Sequence, residues 1–137
     1  MVDIAEAALE AARARVGGLA KGVRWLVADA RDLTLPEPAD LWHDRAVFHF
    51  LTGIVDQEAY LRCLRRALAP GGHVIMATFS LRGPKMCSGL PAARYDADTL
   101  ARRLGEDFEL LRAVPKRHVT PAGETQDFTY ALFRSRK

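Results

Sequence analysis

The sequence has little cysteine and no cluster of metal-ligand residues, which argues against a zinc module and against a disulfide-rich domain. Its two cysteines, Cys63 and Cys87, show no metal-ligand spacing and are too few for a disulfide framework. The sequence therefore predicts no metal site. A chain without a disulfide framework is typical of a reducing compartment, so we expect the protein in the cytoplasm.

Long apolar runs and a strong excess of one charge are also missing. No stretch approaches the roughly 20 apolar residues of a membrane span, and the start of the chain has no basic-then-apolar signal pattern. Lys and Arg number 20 against 17 Asp and Glu, which gives a formal net charge of +3. The excess is scattered and lacks interleaved aromatics, so a solvated surface is favoured over a nucleic-acid face. We expect neither a membrane nor a nucleic acid as partner.

The 137 residues, 49% hydrophobic and 27% charged, fit a single domain over 1–137 with one core. Apolar spacing predicts helices, and short β-branched or aromatic runs predict strands. The predicted helices cover 5–16, 57–69 and 96–104, with a helical turn over 45–51. The predicted strands cover 23–28, 39–44, 73–79, 108–114 and 128–133, with loops over 31–38 and 80–95 and a turn over 118–126.

Strands that alternate with helices and end in a hairpin indicate an α/β sheet whose parallel part is finished by an antiparallel strand. Ligands of such sheets bind at the carboxyl ends of the strands. Asp3, Asp29, the His43-Asp44 pair and Phe79-Ser80 stand at those ends. Carboxylates there accept hydrogen bonds from ribose hydroxyls or an adenine amino group. The alternative is that Asp3 and Asp29 only cap helices.

Four ordered segments carry a resemblance to a known family. They are VDIAEAALEAARAR, VRWLVADARDL, ADLWHDRAVFHFL and LAPGGHVIMATFS. In order and spacing they resemble the second to fifth strand regions of class I S-adenosylmethionine-dependent methyltransferases. The string HDRAVFHFLT, with GP, CSGLP and RY after it, resembles a bacterial, small-molecule subgroup. The resemblance implies a Rossmann-like sheet and methyl transfer from S-adenosylmethionine to a small molecule.

The resemblance also assigns residues to the cofactor. Asp3 is expected to bind the ribose, Asp29 with Ala30 the adenine, and the His43-Asp44 region the methionine end. The family's first strand and its GxGxG turn are expected before Val2, so the sheet is predicted to be truncated there, with a gap and two unpaired edges. A homo-oligomer formed through those edges is one expected consequence.

Deprotonation of an acceptor requires a base near neutral pKa, and His43, Asp44 and His49 are the candidates, with His118 behind them. For His49, which lies among apolar residues, simple packing is the competing interpretation. The loop RGPKMCSGLPAARY is expected to contact the acceptor through Cys87, Ser88, Arg94 and Tyr95. Two alternatives stay open. One is a hydrolase in which Ser88 works with a histidine and Asp44, and the other is a non-catalytic remnant with a binding or scaffolding role.

Overall fold

The computed structural model describes residues 1–137 and begins with a small parallel pair of strands. β1 (Val2–Asp3) leads into helix α1 (Glu6–Val16), a 3-10 helix over Gly17–Gly22 and then β2 (Leu26–Val27). Val2 pairs with Leu26 and Asp3 with Val27, in parallel. Leu9 is the buried residue of α1. This unit confirms the predicted first helix, although β2 is shorter than the strand expected over 23–28.

A four-stranded sheet forms the body of the molecule. It contains β3 (Ala39–Arg45), β4 (Leu68–Phe79), β7 (Phe108–Val119) and β8 (Thr125–Ser135), in the spatial order β3-β4-β8-β7. β3 and β4 are parallel, whereas β8 is antiparallel to both of its neighbours. The predicted α/β class, with a parallel part finished by an antiparallel hairpin, is confirmed.

Two helices contribute five of the 13 buried residues of the main hydrophobic core. These are α2 (Ile54–Ala67) and α3 (Ala97–Leu104). Leu100 and Leu104 recur at helical spacing and are fully buried, together with Leu61 and Leu64 of α2. Asp96 caps α3 as predicted, because its carboxylate accepts from the Thr99 N–H at 2.8 Å while the Thr99 hydroxyl accepts from the Asp96 N–H.

The alternate residues of β4 and β8 form a second, smaller cluster on the other face of the sheet. Ala77, Phe79 and Phe128 are its buried members, and Cys87 and Ala92 pack against it. The latter two belong to the segment 80–95, which contains a short hairpin of β5 (Met86–Cys87) and β6 (Leu90–Pro91). The segment predicted as a loop is therefore folded against the sheet.

Further boundaries differ from the sequence prediction. Helix α2 begins at Ile54 and ends at Ala67 rather than covering 57–69, and β4 already begins at Leu68. β7 and β8 pair as far as Val119 and Thr125, so the turn is about half as long as expected. The reason is that backbone pairing in a hairpin continues through exposed polar residues, which give no apolar pattern.

The outer edges of β1 and β3 are unpaired. β1 hydrogen-bonds only to β2, and β3 only to β4, so no strand joins the two sheets. Side chains of α2 connect the two parts instead, since the Cys63 thiol and the Arg66 guanidinium both donate to the Leu33 carbonyl. None of the helices combines the length and the apolarity needed to cross a bilayer.

Candidate functional site

Asp3 stands at the carboxyl end of β1, directly before α1. Its Oδ1 accepts from the Ala5 N–H at 2.9 Å, and its Oδ2 has no protein partner. The side chain is half-buried. One oxygen therefore orders the backbone just before α1 without capping the helix, and the other has no partner within the protein.

Asp29 follows β2 and lies at the same end of the parallel pair. Both of its oxygens are occupied by Arg31, through the backbone N–H at 2.8 Å and through the guanidinium at 2.5 to 3.0 Å. Hydrogen bonds from Arg31 hold the pKa of Asp29 below its usual value. Arg31 also reaches Asp56 of α2 at 2.6 Å. Ala30 packs against the main core.

His43 and Asp44 point to opposite faces of β3, as neighbouring strand residues do. His43 is exposed, whereas Asp44 is 4% exposed. The Asp44 carboxylate accepts from the Tyr60 hydroxyl at 2.5 Å and from the N–H groups of Val47 and Phe48. Burial raises the pKa of Asp44. Its oxygens hold the turn into the 3-10 helix Phe48–Phe50, so the structure does not bring the predicted pair together.

His49 is fully buried at the first turn after β3. Its Nδ1 accepts from the Phe79 N–H at 3.3 Å, and its ring packs against Phe50 and Phe79. Desolvation lowers the pKa of His49 to about 4, so the imidazole is neutral near neutral pH. Its backbone carbonyl accepts from the Ala93 N–H at 2.7 Å. These contacts fit the packed interpretation, in which His49 positions the end of β4 and the 80–95 segment.

The four loop residues expected to meet the acceptor do not share one surface. Cys87 is half-buried in the small cluster, and Arg94 donates to the Leu81 carbonyl at 2.9 Å. Tyr95 lies in the main core, where its hydroxyl accepts from the Gln57 amide. Ser88 is exposed at the tip of the β5–β6 hairpin with a positive φ of 50°, and it makes no hydrogen bond to a histidine. No geometry therefore supports the hydrolase alternative.

Arg45 is a residue that the sequence reasoning missed. It is the last residue of β3, two positions after His43 and on the same face. Its guanidinium carbon lies 5.4 Å from the centre of the Phe128 ring, and its Nε donates to the Tyr130 hydroxyl at 3.2 Å. Period-two alternation along β3 indicates that Arg45 shares a face with His43, but it does not reveal the distant partners Phe128 and Tyr130.

A polar cleft of about 460 Å³ opens at the carboxyl end of β4. Arg117 and Asp127 pair within it at 2.9 Å, which leaves Arg82 and Lys116 without an ion pair. The turn at its base is tight, since a Cβ at Gly83 would meet the Asp127 carbonyl oxygen at 2.6 Å. The cleft is lined by Ser80, Leu81, Arg82, Asp96, Pro115, Lys116, Arg117, Asp127, Phe128 and Thr129.

Residues 1–76 match a family model described as a methyltransferase domain. No match appears among curated proteins. Among solved structures, one similar protein comes from work on the conversion of a disulfide bond into a thioacetal group during echinomycin biosynthesis. It is 27% identical with a TM-score of 0.73, over 98% of this chain and 64% of that one.

Two further structures share the fold at lower identity. The N-methyltransferase NodS from Bradyrhizobium japonicum WM9 is 21% identical with a TM-score of 0.72, over 99% of this chain and 72% of its own. The 1,6-didemethyltoxoflavin-N1-methyltransferase from Burkholderia thailandensis, solved with its substrate and S-adenosylhomocysteine, is 19% identical with a TM-score of 0.72, over 99% of this chain and 60% of its own. This chain thus spans less than two thirds of two of these three relatives.

Proposed function

Since the chain belongs to the methyltransferase domain family, we propose that it serves S-adenosylmethionine-dependent methyl transfer to a small-molecule acceptor. The observation that carries the proposal is the placement of Asp3 and Asp29. Both acids lie at the carboxyl ends of neighbouring parallel strands, which is where α/β sheets bind nucleotides.

The residues present fit the nucleoside half of S-adenosylmethionine. Asp3 offers a half-buried carboxylate oxygen with no protein partner, which suits a ribose hydroxyl. Asp29 is ionised and ordered, but Arg31 must release one of its oxygens before an adenine amino group is able to donate to it. No glycine-rich turn adjoins Asp3, because Gly17-Gly18 follow α1 and Gly71-Gly72 lie within β4.

When bound, S-adenosylmethionine supplies an electrophilic methyl group on its sulfonium. The residues of this chain would hold and orient: Asp3 at the ribose, Asp29 with Ala30 at the adenine, and exposed His43 at the end of β3. His43 is the histidine we propose as proton acceptor, since its imidazole is open to solvent while that of His49 is enclosed. Asp44 fixes the turn after β3, and His49 positions the end of β4.

Calorimetric titration with S-adenosylmethionine tests the proposal directly. We expect saturable binding that Asp3→Asn weakens by at least roughly tenfold, since a carboxylate bond to a hydroxyl is lost. Asp98→Asn is the matched control, because Asp98 is exposed on α3 and away from the strand ends. Absence of binding at millimolar cofactor, with the protein folded by circular dichroism, would contradict the proposal.

Location and assembly complete the proposal. We propose a cytoplasmic location because both cysteines are free thiols. We also propose a homo-oligomer that associates through the unpaired edges of β1 and β3. Unpaired N–H and C=O groups along a strand favour pairing with another strand, so each edge is a ready interface. Light scattering that returns a monomeric mass at all concentrations would contradict the assembly.

A further inference from the structure

Arg45 presents a guanidinium that the fold holds in place and leaves without a counter-ion. Its Nε donates to the Tyr130 hydroxyl, its guanidinium carbon lies 5.4 Å from the centre of the Phe128 ring, and it takes part in none of the ion pairs of the structure. A guanidinium held through its Nε keeps its terminal N–H groups free, and these match the two oxygens of a carboxylate or a phosphate.

Strand register shows which groups surround Arg45. It pairs with Ala77, which pairs with Tyr130 of β8, so its side chain crosses a small residue to reach the aromatic ring. On the same face, Phe128 pairs with Lys116 of β7, and the next residue of β7 on this face is His118. Cys87 of the β5–β6 hairpin packs into the same cluster. The patch formed by Arg45, Lys116, His118, Phe128 and Tyr130 is therefore basic and aromatic.

No carboxylate forms an ion pair with Arg45 or Lys116 of this basic aromatic patch. Asp96, which lines the same cleft as Lys116, accepts from the Thr99 N–H. Asp44 points to the opposite face, where Tyr60 and two backbone N–H groups occupy it. Asp127 is engaged by Arg117. Glu109, on β7, pairs with Arg134 at the far end of the sheet. Arg45 and Lys116 thus face solvent without acidic partners, and their field favours an anion.

We propose that the basic aromatic patch binds a carboxylate or phosphate group of the acceptor, with Arg45 as the residue that recognises it. The acceptor is then a small anionic molecule with a flat apolar part that contacts the half-buried Tyr130 ring, while Phe128, which is 2% exposed, supports Arg45 from within the cluster. This assignment rests on the proposed function, because it places the acceptor at the carboxyl end of β3, next to His43. Arg45 and His43 act on one face of the same strand.

Nuclear magnetic resonance titration of the whole chain with three probes tests the assignment. The probes are benzoate, its neutral analogue benzamide, and inorganic phosphate. We expect benzoate to shift the amides around Arg45 and to bind at least roughly tenfold more tightly than benzamide, because a bidentate charged contact contributes that much. Arg45→Met is expected to abolish the preference, and Arg45→Lys to retain part of it. Arg24→Met, an exposed arginine near β2, is the matched control and should leave binding unchanged.

The outcomes separate cleanly. Tighter phosphate than benzoate, lost in Arg45→Met, supports a phosphorylated acceptor, and the reverse order supports a carboxylate. Equal binding of benzoate and benzamide, an unchanged Arg45→Met, or no binding of any probe to folded protein overturns the inference. S-adenosylmethionine is titrated separately. Binding of the anions without binding of the cofactor would contradict the proposed function but not the anion site at Arg45. Tyr130→Phe gives an intermediate loss if Tyr130 orients Arg45.

Discussion

Burial of the neutral His49 imidazole makes the stability of the fold depend on pH in a defined direction. The pKa of His49 falls from 6.5 to about 4 on folding, so the unfolded chain takes up a proton more readily than the folded one. The contribution of His49 is therefore complete above about pH 6.5 and is lost as the pH falls towards the folded pKa.

The magnitude follows from the two pKa values. Between about pH 7.5 and about pH 5, proton linkage at this one site removes about 2 kcal/mol from the free energy of unfolding. Below the folded pKa the loss reaches about 3 kcal/mol, at roughly 1.4 kcal/mol per pKa unit. Such a loss is a large part of the stability of a small domain.

Urea unfolding of three proteins at the two pH values measures this effect. His49→Asn keeps an oxygen that accepts from the Phe79 N–H but has no group that titrates, so the loss between the two pH values should shrink by about 2 kcal/mol. His73→Asn, at a half-buried histidine, should retain the full loss. The acidic residues are the same in all three proteins, so their contributions cancel in the comparison. An equal loss in the wild type and in His49→Asn would refute the reasoning.

Three further substitutions test the packing around the site by urea unfolding. Tyr60→Phe removes the hydroxyl that donates to Asp44 and accepts from Trp42, so it should cost about 1 to 3 kcal/mol, while Phe50→Leu on the half-exposed side of the 3-10 helix should cost less. Asp96→Ala should cost about 1 kcal/mol through loss of the capping box, against a smaller cost for Asp98→Ala, which removes only a first-turn charge. Gly83→Ala should cost about 1 to 3 kcal/mol because its Cβ meets the Asp127 carbonyl, whereas Gly18→Ala, with open space around it, should be neutral; equal costs would show the turn to be less tight than the structure gives it.

Helix α3 was predicted correctly because the residues that determine it are close together in the sequence. The Asp96 cap and the leucine spacing of α3 both lie within one helical turn, and both are confirmed. The long pairing of β7 with β8 was underestimated, because its outer half consists of exposed residues such as Lys116 and Arg117, whose strand conformation comes from backbone pairing.

The candidate site shows the same division. The positions of Asp3, Asp29 and His43 at strand ends follow from the order of elements and were predicted. The hydrogen-bond partners of Asp44 and His49, by contrast, come from distant segments. The Tyr60 hydroxyl of α2 donates to Asp44, and the Phe79 N–H of β4 donates to His49. Arg45 gained its place from Phe128 and Tyr130, more than 80 residues later in the chain, which no local pattern reveals.

The place of β8 in the sheet has a consequence for how the chain is made. β8 occupies residues Thr125–Ser135 but lies between β4 and β7, in the interior of the sheet. During synthesis, β4 has its parallel partner β3 early and keeps its other edge unpaired until β8 has been made. Contacts of this long sequence separation close slowly. We therefore expect refolding to be limited by the capture of β8, and nascent chains stalled before Thr125 to depend on chaperones for solubility.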